Sequence, residues 1–89
     1  MKVFALTQSY VGEEEALYYA ENIGVYSTKE KAQARMNELF EEEKKKYKDE
    51  TSIEIEEYEM SKVLYSNWDV AYTKFEIREV ELDQNYSLD

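Results

Sequence analysis

Eight acidic side chains in the C-terminal 39 residues are the groups with the most evident chemistry: Glu54, Glu56, Glu57, Glu59, Glu76, Glu79, Glu81 and Asp83. Residues 51–89 hold ten acids against three bases, a local net of −7 in a chain of net −10. Alternate residues of a strand stand about 6.6–6.8 Å apart, so carboxylates at this spacing make a regular array. Such an array attracts a Lys/Arg-lined groove and speeds its association. Duplex DNA carries one charge per roughly 1.7 Å of axis, so any imitation of nucleic acid is partial. Tyr65, Trp68 and Tyr72 form a second candidate surface, because Tyr and Trp are the residue types that anchor interfaces. Each feature has a plainer explanation. Acids also line the solvated face of an antiparallel sheet, and a lone Trp also caps the open edge of a small core.

Other chemistries fare worse. Glu54/Glu56 or Glu79/Glu81 offer oxygens to a hard cation, but Ca²⁺ and Mg²⁺ want several convergent ligands on a shaped loop, and no such loop pattern appears. A pair of carboxylates can run hydrolysis alone, yet 89 residues leave little room for a substrate cleft. Cysteine and histidine are absent, which removes thiolate chemistry and the usual acid/base near neutral pH. Gly12 and Gly24 are the two glycines, too few for a glycine-rich phosphate loop. The expectation is therefore a protein that is not an enzyme and takes no cofactor or metal. Direct nucleic-acid binding is disfavoured because the charged stretch 28–50 carries seven acids and seven bases and cancels. The opening Met1–Leu6 is too short for a signal sequence and no stretch is of membrane-spanning length, so a cytoplasmic location in a bacterial host is expected.

The elements that would position these groups read as follows. The length suits one domain over 1–89, with 84–89 a loose tail. Lys2–Tyr10 and Ala16–Tyr26 are rich in β-formers and are joined by a short polar link, the pattern of a hairpin. Ser27 followed by Glu30 matches a capping box. Ala32, Met36, Leu39, Phe40 and Tyr47 then make a helical stripe, which Glu43 interrupts. Ile53–Met60 and Phe75–Leu82 repeat one alternating pattern with a phase slip, expected to be a β-bulge near Glu56/Glu57 and another near Arg78/Glu79. If these strands are neighbours, their acids share one face. A short helix over 56–65 is the competing reading, and 63–72 is read as a connection. The fold class expected is α+β in β-β-α-β-β order, an antiparallel sheet with one long helix packed on one face.

Met1-Lys2-Val3, Gly24-Val25-Tyr26-Ser27 with Lys29-Glu30-Lys31-Ala32, and Ile77-Arg78-Glu79-Val80-Glu81-Leu82-Asp83 give the chain a resemblance. It resembles short uncharacterised proteins of phages and Gram-positive bacteria. That resemblance implies a phage or prophage setting, where small acidic proteins often inhibit host defence, as anti-CRISPR-like DNA mimics do. The functional expectation is a protein-binding module engaging the basic surface of a nucleic-acid-handling protein. Its alternative is a self-associating structural domain, a homodimer paired through a strand edge or the 63–72 segment.

Overall fold

The computed structural model describes residues 1–12, 17–47, 53–66 and 71–81, with Leu17 and Tyr18 described in backbone only. Its elements are β1 (Lys2–Val11), β2 (Leu17–Tyr26), α1 (Lys29–Lys45), β3 (Glu54–Glu57), β4 (Ser61–Ser66) and β5 (Ala71–Glu81). The strands form one antiparallel sheet in the order β2-β1-β5-β4-β3. The expected β-β-α-β-β order is overturned: the described residues form five strands, and three of them follow the helix.

The discrepancy lies in residues 58–66. The phase slip after Ile55 is not a bulge but a chain reversal. Glu57 pairs with Lys62, and the Tyr58 N–H donates to the Ser61 carbonyl at 2.8 Å, which leaves Glu59-Met60 as a two-residue hairpin loop. Neither residue is a usual turn former, so the sequence rules pass over it. Part of the presumed connection 63–72 is therefore strand: β4 runs to Ser66 and β5 begins at Ala71. The second expected bulge, at Arg78/Glu79, is absent as well, since β5 pairs with β1 in unbroken register from Thr73 to Glu81. The tail 84–89 lies outside the described residues.

Helix α1 starts one residue later than the capping box suggests. Thr28, in extended backbone, is the N-cap, and its Oγ1 accepts from the Lys31 N–H at 3.2 Å. Ala32, Met36 and Phe40 come up on one side and pack on Leu6, Leu64, Phe75 and Ile77. Phe40 meets Phe75 edge-on, ring centroids 6.2 Å apart. The Lys44 and Lys62 ammoniums lie 5.5 and 5.4 Å from the Phe40 ring. Fully burying each large side chain contributes about 1.5–3 kcal/mol, so this seam holds the two layers together. Glu43 does not end the stripe. It is buried, accepting from Thr73 Oγ1 at 3.3 Å and from Lys46 Nζ at 3.1 Å. A buried carboxylate is tolerable because both oxygens have donors.

Side chains alternate across a strand, so the register assigns them to two faces. Leu6, Phe75, Ile77, Lys62 and Leu64 look toward α1, and so do Glu57, Glu79 and Glu81 further along the same rows. The opposite face carries Val3, Val63, Tyr65, Tyr72, Lys74, Glu76, Arg78, Glu54 and Glu56. Val3 and Val63 are buried yet stand apart from the cluster under the helix. No described helix covers this second face.

Candidate protein-binding surface

The acids expected on one sheet face are divided. Glu54, Glu56 and Glu76 occupy the open face, Glu57, Glu79 and Glu81 the helix face, and Glu59 the hairpin loop. β3 and β5 are not neighbours, because β4 runs between them. Most of these carboxylates also have a cation beside them. Glu57 pairs with Lys62 at 3.2 Å, Glu79 with Lys2 at 3.8 Å and Glu81 with the N-terminal ammonium at 3.3 Å. Glu59 pairs with Lys29, while Glu76 takes Arg78 at 2.9 Å and Lys74 at 3.3 Å. Exposed pairs of this kind add little stability, but they cancel the local field. Among the described residues, Glu54 and Glu56 are the two acids of this set with no cation within ion-pairing distance. Asp83 and Trp68 lie outside the described residues.

The surplus charge sits elsewhere. Described residues hold thirteen acids and ten bases, a net of −3. The other segments hold eight acids and one lysine, a net of −7. Sequence reasoning assigned the surplus to strands because it counted by position along the chain and not by element.

Around Glu56 a set of tyrosines collects that alternation along one strand does not reveal. The Tyr58 hydroxyl donates to Glu56 Oε2 at 2.9 Å, and the Glu56 charge also acts on the Tyr65 phenol. Tyr65 and Tyr72 are a registered cross-strand pair with ring centroids 5.7 Å apart. Glu54 faces Tyr65 across β3 and β4. The structure thus joins four expected site residues, Glu54, Glu56, Tyr65 and Tyr72, and adds Tyr58, which the sequence analysis left out. The signal for Tyr58 was its spacing of two from Glu56, legible only once both are known to share an extended strand end.

These contacts move proton equilibria. The hydrogen bond to Glu56, and then its charge, raise the Tyr58 phenol above the ordinary tyrosine range. Burial raises Tyr65 first, with the charge of Glu56 next. A phenol raised in the folded state contributes stability that is intact below about pH 10 and is lost as pH rises through the folded value. Alkaline titration of tyrosinate absorbance should therefore show a late-ionising group in the native protein. Glu56→Gln should bring Tyr58 and Tyr65 back toward the ordinary range, and an unchanged titration curve would contradict the contact. On the acid side, hydrogen bonding to Lys29 holds Glu59 below the usual carboxylate range. Glu76 is pushed up by burial, but Arg78 and Lys74 outweigh it and leave it lowered. Both contributions are present above the ordinary glutamate value and lost as pH falls through the lowered ones.

Elsewhere an open cleft of about 550 Å³ lies between the start of α1 and the β3–β4 hairpin, with Phe4, Lys29, Glu30, Glu59, Met60 and Glu79 among its walls. Lys29 and the Gln33 amide, which donates to the Glu59 carbonyl at 2.9 Å, tie the hairpin to the helix across it. No three His, Cys, Asp or Glu side chains converge as a metal site among the described residues. None of the described helical residues makes a segment long and apolar enough to cross a membrane.

No curated protein and no solved structure matches the chain. The family model described as Domain of unknown function (DUF7336) matches residues 1–69, which takes in the helix, the two flanking hairpins and both edges of the sheet. The chain belongs to this DUF7336 family.

Proposed function

We propose that this chain is a non-enzymatic protein-interaction module whose partner presents a basic surface, of the kind nucleic-acid-handling proteins carry. The contact is made by Glu54 and Glu56 with the tyrosines beside them, and not by a continuous acidic sheet face. The observation that supports the reading is the pairing of the two uncompensated strand carboxylates with Tyr58, Tyr65 and Tyr72 on one open surface. Guanidinium groups stack on aromatic faces and take carboxylates bidentately, so this patch suits arginine. Where the bound surface is the partner's nucleic-acid groove, occupation of it is inhibition, which accords with an anti-defence role in a phage or prophage.

Self-association fits the edges less well. The pairing of β2 with β1 shifts twice, between Gly24 and Asn22 opposite Leu6/Thr7 and between Tyr19 and Leu17 opposite Tyr10/Val11, and three of the four residues of β3 are acidic. Both are devices that discourage edge pairing between copies.

A pull-down from a Gram-positive lysate, washed at low and high salt, tests the proposal against two variants. Glu54→Gln/Glu56→Gln/Tyr65→Ala should lose a partner that is held at low salt only. Glu79→Gln/Glu81→Gln, at the far end of β5, should keep it. Equal capture by both variants, or capture that salt does not weaken, would refute the reading.

A further inference from the structure

We infer that the outer edge of β3 is a docking strand for an extended segment of the basic partner, added as a further strand with Arg or Lys at alternate positions. The inference rests on the reading above and adds how the partner is held.

β3 is the terminal strand of the sheet, and all four of its residues are exposed. Helix α1 packs against β1, β2, β4 and β5 but not β3. The phase of its hydrogen bonds follows from the hairpin. Tyr58 bonds to Ser61, and bonded pairs alternate along an antiparallel ladder. Glu54, Glu56 and Tyr58 therefore turn their backbone groups toward β4. Ile55 and Glu57 turn their N–H and C=O groups outward, where no described residue meets them. This edge is regular, with four consecutive pairs to β4 and no shift, whereas β2 at the opposite edge is shifted twice.

Charge decides the occupant. A strand laid on β3 brings alternate side chains beside Glu54 and Glu56 on the open face, and the residues between them beside Ile55, itself 41% exposed. Opposite charges across a strand pair stabilise and like charges destabilise. A second copy would set glutamate against glutamate. A segment alternating basic with apolar residues meets carboxylate on one side and Ile55 on the other. Tyr65, one strand further in, offers its ring to the guanidinium.

The probe is a synthetic eight-residue peptide alternating arginine with valine. A second peptide of the same sequence is N-methylated at the amides that would face β3, which keeps the charge and removes the backbone bonds. The parent should bind weakly and slow hydrogen exchange at the Ile55 and Glu57 amides. N-methylation should abolish both effects. Glu54→Gln/Glu56→Gln should weaken the parent about 2- to 30-fold; both positions are exposed, and an unchanged melting temperature confirms that the variant is folded. Equal binding of the two peptides, or no binding by a protein that still captures a basic partner in the pull-down, would overturn strand addition and leave the basic-partner reading standing. Failure of the pull-down would instead strike that reading itself.

Discussion

A chain ending at residue 69 should show no cooperative unfolding transition, although the family match covers that whole span. β5 begins at Ala71 and is the middle strand of the five, pairing with β1 on one side and β4 on the other. Without it the sheet falls into two separate hairpins, β1–β2 and β3–β4. Isolated hairpins are marginal in water. The core would also lose Phe75 and Ile77, both essentially buried, from beneath Met36 and Phe40. Backbone ordering costs roughly 1–2 kcal/mol per residue, and the remaining contacts of the helix with β1, β2 and β4 do not offset that over 69 residues. Circular dichroism through a thermal melt reads the outcome: a broad, sloping signal is expected. A sharp transition would show that the central strand is dispensable.

Phe40→Ala should be the most damaging single substitution, at about 3–5 kcal/mol. Its ring is fully buried, meets Phe75 edge-on and lies beneath two lysine ammoniums. Removal leaves a cavity between helix and sheet that rigid strands cannot close. Domains of this class have roughly 5–15 kcal/mol of stability in all, so the variant sits near the unfolding threshold. Urea titration should show a large fall in midpoint. A double-mutant cycle with Phe75→Ala should give a coupling of about 0.5–1.5 kcal/mol for the aromatic pair. Loss below about 1 kcal/mol would mean that the seam relaxes around the missing ring, contrary to the close packing described.

The first hairpin and the helix were legible because their signals are local. Lys2–Val11 and Leu17–Tyr26 are strands of β-formers, and Ala32, Met36 and Phe40 recur at helical spacing. The cap moved from Ser27 to Thr28 because adjacent hydroxyl residues compete for one role and only backbone geometry separates them. The second half was misread for one physical reason. Glu59-Met60 turns the chain without glycine, proline or asparagine, held by the Tyr58–Ser61 bond and by the Met60 carbonyl, which accepts from the Ile77 N–H at 2.8 Å. A tertiary contact stabilises that turn, so no local pattern announces it. Everything downstream inherited the error, including the single acidic face. Glu79, expected among the acids of an exposed face, lies on the helix side beyond the covered core, where Lys2 meets it. Conversely, Glu43 looked like an interruption of the helical stripe but is seated in it, because Thr73 and Lys46 supply donors from outside its own pattern. The Glu56–tyrosine patch needed β3, β4 and β5 to be neighbours, and that is information about topology alone.

The most direct test of where this protein binds is a nuclear magnetic resonance titration of the isotope-labelled chain with the partner recovered by pull-down. Shifts and slowed exchange should concentrate on Ile55, Glu56 and Glu57, with Tyr65 and Tyr72 beside them, and should fade as salt is raised. Perturbations centred instead on the β2 edge from Tyr19 to Asn22, or on Glu79 and Glu81 at the far end of β5, would place the contact elsewhere and contradict the account.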